Sequence, residues 1–197
     1  MIDRATFIRE SLEDSAATKK AIMNLCFDDI SRAVTVVRDA LKKDNKILFC
    51  GNGGSAADCQ HIATEFTIRL NHDIKRKGLP AISLTTDTSA LTAGGNDIGF
   101  ENTFARLVEA LGREGDVLVA ISTSGKSENI LRAADKAHQN GMHVIGFLGK
   151  DGGKLKQLCD LPIIIPSDNT QRIQEGHITI GHIIAELVEL ELYAESQ

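Results

Sequence analysis

The chain has 197 residues, 42% of them hydrophobic and 25% charged, with a formal net charge of -5 and a pI near 5.7. That length builds one substantial core. The acidic balance argues against a duplex-binding face while leaving room for a local phosphate pocket. No apolar run approaches a membrane span, and the charged start Met1-Ile-Asp-Arg4 does not read as a leader. A soluble, cytoplasmic, single-domain protein bound to neither nucleic acid nor membrane is expected.

From Ala5 to about Lys43 the pattern is helical, with Ala33, Val36, Val37, Ala40 and Leu41 at three- and four-residue spacing and Asp28 or Asp29 able to start a second helix. The apolar run Ile47 to Cys50 suits a buried strand. It is followed by a glycine-rich turn and a helix that Ser55 can cap, with His61 and Glu65 on one face at i and i+4. Further strand-like runs fall at Ala81 to Leu84, Asp116 to Ile121, His143 to Leu148 and Leu161 to Ile165. Helical patterns cover Thr103 to Leu111, Ser127 to Gln139 and about Arg172 to Tyr193. Alternating strand and helix predicts an α/β fold, a three-layer αβα sandwich on a parallel sheet, with additional N- and C-terminal helices free for subunit contacts. Cys26, Cys50, Cys59 and Cys159 lack C-x-x-C spacing, which points to reduced structural cysteines.

Two turns carry the chemistry. Gly51, Gly53 and Gly54 let the backbone present its N–H groups to an anion at a helix start. The spacing Gly51-x-Gly53-x-x-Ala56 fits a permissive dinucleotide fingerprint, but the acid expected about twenty residues on does not end a strand, since that region is the polar Asn71-His72-Asp73. The second turn, Ala120-Ile-Ser-Thr-Ser-Gly-Lys126-Ser127, misses the first glycine of a P-loop. A nucleotide cofactor is therefore not expected. The four hydroxyls of Ser122, Thr123, Ser124 and Ser127 suit a single phosphate monoester, against the plainer reading of a hydroxyl-rich helix cap. His182 stands in the apolar stretch Ile178 to Leu187, as a core histidine or as a partner for His61 and Glu65. With the Gln174 amide, those residues could hold a four-ligand Zn²⁺, although Gln174 and His182 are separated by about 12 Å of helical rise.

Taken together, Cys50-Gly-Asn-Gly-Gly-Ser55, His61-x-x-x-Glu65, Gly95-Asn-Asp-Ile-Gly-Phe100, Gly112-Arg-Glu-Gly-Asp-Val117, Ile121-Ser-Thr-Ser-Gly125, Gly149-Lys-Asp-Gly-Gly153 and Arg172-Ile-Gln-Glu175 closely resemble the phosphoheptose isomerases, which are sugar-isomerase (SIS) domain proteins. The resemblance covers nearly the whole chain. It implies a five-stranded flavodoxin-like sheet, with residues 1–44 in oligomer contacts and 45–197 forming the core and last helix. It also implies a homotetramer with active sites between subunits. The implied activity is conversion of sedoheptulose 7-phosphate to D-glycero-D-manno-heptose 7-phosphate through an ene-diol, in heptose synthesis for lipopolysaccharide core or another glycoconjugate. Glu65 would be the base and His182 its partner acid. The phosphate would lie on Ser122, Thr123, Ser124 and Ser127, with Asn52, Gly53, Gly54, Ser55, Asn96, Asp97 and Gln174 around the sugar, and zinc on His61, Glu65, Gln174 and His182. At Gln171, some of these isomerases carry an acid. A similar relative regulates replication initiation by binding the initiator protein, but it has lost the carboxylate and histidine matching Glu65 and His182, and both stand here.

Overall fold

The computed structural model describes residues 2–193. Helices α1 (Arg4–Leu25) and α2 (Phe27–Lys42) lead into β1 (Ile47–Gly51) and α3 (Gly54–Thr67). β2 (Ala81–Ser83), α4 (Thr88–Asp97), α5 (Phe100–Leu111), β3 (Val117–Ser122), α6 (Glu128–Gln139), β4 (His143–Gly149), a 3₁₀ turn (Lys154–Leu158), β5 (Leu161–Ile165) and α7 (Thr170–Tyr193) follow. The five strands are all parallel in the order β2-β1-β3-β4-β5. The direction of winding reverses between β1 and β3, and the carboxyl ends of those two strands flank the crevice where such sheets bind ligands.

The pleat sorts each strand between two cores. Ile47, Phe49, Val117, Val119, Ile121, Ile145, Phe147 and Ile163 face α2, α3 and α7, while Leu48, Cys50, Leu118, Ala120, Val144 and Leu148 face α5 and α6. β1 and β3 are buried along their whole length, as a parallel sheet covered on both sides requires. α2 buries Ile30, Ala33, Val34, Val37, Ala40 and Leu41 on one stripe. All four cysteines are free thiols; burial pushes Cys159 up to about 12 and Cys50 higher still, so none is a ready nucleophile. Among the described residues no helix is long and apolar enough to cross a membrane.

Two local expectations change and one helix is added. Ser55 does not cap α3: the N-cap is Gly53, at φ 58°, and Ser55 lies buried inside the helix. α2 begins at Phe27, so Asp28 and Asp29 fall in its first turn, where they complement the helix dipole. α4, which the Gly94-Gly95 pair hides from a periodicity reading, is started by Asp87, whose side chain accepts from the Ala90 N–H at 3.0 Å.

At the amino end of the sheet, the Asp116 of the Gly112-to-Val117 motif is a structural bolt. Its carboxylate accepts from the Lys46 N–H (2.9 Å), the Arg113 N–H (2.8 Å) and the Lys46 ammonium (2.5 Å), joining β1 to β3. Burial opposes its ionisation, yet these donors outweigh that penalty and hold the carboxyl below its ordinary range.

Candidate active site

His61 and Glu65 project from α3 and meet His182 from α7. His61 Nε2 lies 3.1 Å from Glu65 Oε1 and 3.2 Å from His182 Nε2, and the two imidazoles cross edge to face with centroids 4.8 Å apart. Close helix packing makes this meeting possible. Gly181 of α7 lies on Ile62 of α3, where a Cβ would sit 2.9 Å from Ile62 Cγ1. The residues beside that contact, His182 and His61, are thereby brought together. Glu65 is mostly buried and His61 about half exposed, so the cluster lies at the surface of this one chain.

The donor set fits a zinc ion. Two ligands at about 2.0–2.2 Å from a tetrahedral Zn²⁺ stand about 3.3–3.5 Å apart, close to the 3.2 Å and 3.1 Å separations seen here. All three ligand atoms lie within 4.8 Å of one another. Two bare imidazole nitrogens facing each other would repel, so either one is protonated or both point at a cation. Asp58, one turn before His61, has a buried Oδ2 with no hydrogen-bond partner, and burial pushes its carboxyl up to about 6 against the pull of the His61 charge.

Gln174 sits elsewhere along α7. Its amide lies over the Cα of Gly54 at the start of α3, where any side chain on that residue would collide with it. Of the two readings of His182, core histidine or partner for His61 and Glu65, the contact with His61 matches the second, and the core histidine of α7 is His177. His177 is fully buried, its Nε2 lies 2.9 Å from the Leu148 carbonyl oxygen, and burial lowers its pKa to about 4. Gln171 is exposed at the start of α7, its N–H donating to Asn169 Oδ1.

The two turns face each other across the switch point. Asn52, just after β1, and Asn129, in the first turn of α6, exchange two amide hydrogen bonds of 2.9 Å. Asn129 is buried and was invisible as a site residue in the sequence, because only the fold sets it opposite Asn52. In the hydroxyl turn Ser122 Oγ accepts from the Gly125 N–H (3.1 Å) and Ser124 Oγ from the Lys126 N–H (3.3 Å). Ser127 is the N-cap of α6 but makes no side-chain cap bond, leaving its hydroxyl and the first N–H groups of the helix for another acceptor. Thr123 lies half-buried between Ser122 and Ser124, and the Leu155 N–H donates to the Gly125 carbonyl, which pins the turn to the loop after β4. Asn96 and Asp97 end α4 at the surface and hydrogen-bond to each other at 2.6 Å.

The fold and this arrangement define a doubly wound α/β protein with a glycine turn and a hydroxyl turn facing each other at the switch point of its sheet and a His/Glu/His cluster between α3 and α7. The family model described as "SIS domain" matches residues 12–149. The phosphoheptose isomerase of Clostridium acetobutylicum is 52% identical over 191 residues, covering 96% of both chains, and that of Nitratiruptor sp. is 52% identical over 92% of this chain and 95% of its own. The solved phosphoheptose isomerase from Francisella tularensis superposes with a TM-score of 0.91 at 37% identity, covering 95% of this chain and 99% of that one. The one from Neisseria gonorrhoeae gives 0.88 at 42%, covering 94% and 98%. The chain belongs to the SIS-domain family and, within it, to the phosphoheptose isomerases.

Proposed function

We propose that the protein is an aldose-ketose isomerase that converts sedoheptulose 7-phosphate to D-glycero-D-manno-heptose 7-phosphate, in the cytoplasm, supplying activated heptose for lipopolysaccharide core or another glycoconjugate. The observation that carries this reading is the contact of His61 and Glu65 with His182 across the α3–α7 packing, on a chain whose full-length relatives bear the isomerase name. A replication-initiation regulator has no use for that carboxylate and imidazole.

The reaction moves one hydrogen between neighbouring carbons. Glu65 removes a C1 proton, an ene-diol forms, and the same carboxyl returns the proton to C2. His182 takes the proton from the O1 hydroxyl and delivers one to O2, so the charge on each oxygen is met as it develops. Ser122, Thr123, Ser124 and Ser127 with the α6 N-terminus hold the phosphate. Asn52, Gly53, Gly54, Ser55, Asn96, Asp97 and Gln174 line the sugar, the Asn52 amide being oriented by Asn129. His61, Glu65 and His182 would hold Zn²⁺, which when bound polarises the carbonyl and hydroxyl oxygens, while the Gln174 amide, held over Gly54, stays with the groups that line the sugar. No nucleotide enters the scheme.

The chain acts as one domain over 1–197, with residues 1–44 in subunit contacts and the active sites between subunits of a homotetramer. Supporting this, Phe7, Leu12, Met23, Leu25 and Phe27 are exposed on α1 and around its junction with α2, and Met23 and Phe27 line an apolar cleft of about 290 Å³ between α1, α2 and α7. A coupled assay with sedoheptulose 7-phosphate, run with and without chelator, tests the activity and the metal together. Turnover that chelator abolishes and Zn²⁺ restores is expected, whereas no turnover in either condition would refute the reading. A stable monomer by light scattering at micromolar concentration would remove the tetramer.

A further inference from the structure

A second polar cluster lies behind the site, and nothing in the chemistry above uses it. Arg76, in the segment between α3 and β2, reaches into the protein with its side chain only 1% exposed. Its Nε donates to Glu189 Oε1 on α7 (2.6 Å), Nη2 donates to the carbonyl of Glu65 (2.7 Å), and Nη1 donates to the carbonyls of Phe66 (2.8 Å) and Lys77 (3.0 Å). Glu189, equally buried, accepts at its other oxygen from the Asn71 N–H at 2.9 Å. The guanidinium and both carboxylate oxygens are thus engaged on every side.

Stability alone is a poor reason for such a pair, because desolvating two charges costs about what their attraction returns, and apolar residues of the same volume often do as well. Its placement suggests another reason. Glu189 follows His182 by seven residues, two helical turns, and so stands on nearly the same face of α7 about 10.5 Å along it. The guanidinium at the other end of the pair grips the backbone carbonyl of Glu65 itself and of its neighbour Phe66, capping the last turn of α3 with the positive charge that a helix C-terminus favours. The planar fork reaches both helices at once, which a lysine ammonium could not do with the same geometry.

We infer that Arg76 and Glu189 are positioning residues: together they form a buried strut that locks the C-terminal turn of α3 to α7 and so fixes the spacing of His61 and Glu65 against His182. The inference rests on the proposed isomerase and metal reading of that cluster. In a metal site, groups that orient the ligands are worth about 10- to 100-fold in metal affinity or activity.

The test uses the full-length chain, stripped of metal and titrated with Zn²⁺ by calorimetry, together with kcat and KM for sedoheptulose 7-phosphate and the thermal midpoint. All are measured where circular dichroism shows each protein fully folded. Arg76→Lys keeps the charge and loses the fork; the double variant Arg76→Met/Glu189→Leu removes the pair but fills its volume; Glu189→Gln serves if either fails to fold. The strut predicts that every folded variant loses Zn²⁺ affinity by about 10- to 100-fold and turns over at least about tenfold more slowly, with KM changed less than about threefold, including whichever variant keeps the wild-type midpoint. Wild-type Zn²⁺ affinity and turnover in a folded variant would overturn the strut, as would losses found only in variants of lowered midpoint. A wild-type protein that neither binds Zn²⁺ nor turns over the heptulose would instead overturn the site reading on which the strut rests.

Discussion

The two ends of the parallel sheet are both rich in sequence motifs, and they differ in what their polar groups have left to give. At the amino end, Asp116 is buried and its oxygens are filled by Lys46, Arg113 and Asn45, so the cluster has no capacity for a ligand. At the carboxyl end, capacity remains: Ser127 caps nothing with its side chain, and Asn52 and Asn129 each keep a second amide N–H. It remains also two turns along α3 from that end, where His61 is half exposed with its Nε2 turned toward two other potential ligands. Convergent polar groups that satisfy one another make structure; convergent groups left short of partners make a site. The same contrast recurs within α7, where His177 is buried on the Leu148 carbonyl and His182, five residues on, faces His61.

If the contrast is right, substitutions among the groups left short of partners should change catalysis and leave the fold alone, and those in the satisfied Asp116 cluster should do the reverse. The largest effect belongs to the proton carriers. Glu65→Gln keeps the shape and cannot carry the proton, so turnover should fall by about 10²–10⁴ with an unchanged thermal midpoint. His182→Gln should lose a similar factor, and the double variant should lose less than the product of the two because both act on one proton path. A Glu65→Gln protein that melts early would break the comparison.

Next comes the bolt at the other end. Asp116→Ala strips partners from two backbone N–H groups and one ammonium and should cost about 2–4 kcal/mol by denaturant unfolding, with the activity of the folded fraction unaltered. A stable Asp116→Ala protein of low activity would place Asp116 in the site.

His177 supplies a pH test. Buried neutral, it takes up a proton near pH 4 when folded but at about 6.5 when unfolded, so in that window the unfolded state binds more protons. Its contribution is complete above pH 6.5 and is lost as the pH falls toward 4, by up to about 3 kcal/mol. His177→Gln should flatten that slope in acid-unfolding curves while leaving Zn²⁺ affinity unchanged. A metal defect in that variant would blur the line drawn within α7.

The smallest effect is at the hydroxyl turn. Ser124→Ala with Ser127→Ala should raise KM by about 10- to 100-fold with turnover and stability nearly constant, since backbone N–H groups still hold part of the phosphate. Wild-type constants in that variant would put the phosphate elsewhere.

Much of this was legible in the sequence because it is local. The all-apolar runs around Leu48, Leu118 and Ile145 give the strands, and the glycine and hydroxyl turns announce themselves within ten residues. What escaped is what only the fold brings together. Asn129 meets Asn52 across 77 residues, and Arg76 meets Glu189 across 113. α4 was hidden because Gly94 and Gly95 erase its periodicity, and it buries no residue fully. Ser55 reads as a cap, but Gly53 takes the cap position because only glycine adopts its φ of 58° without strain. The Asp116 motif reads as part of a family signature, and no pattern in it says that its polar groups are already satisfied.

The central claim is that Glu65 removes the proton next to the carbonyl of the bound heptulose phosphate. The most direct measurement is deuterium incorporation from D₂O into sedoheptulose 7-phosphate recovered after incubation with enzyme, read by mass spectrometry. Wild-type protein should exchange one hydrogen at C1 at a rate comparable to turnover, and Glu65→Gln should lose that exchange by the same factor as it loses turnover. Exchange at the wild-type rate in Glu65→Gln would take Glu65 out of the proton path and contradict the account.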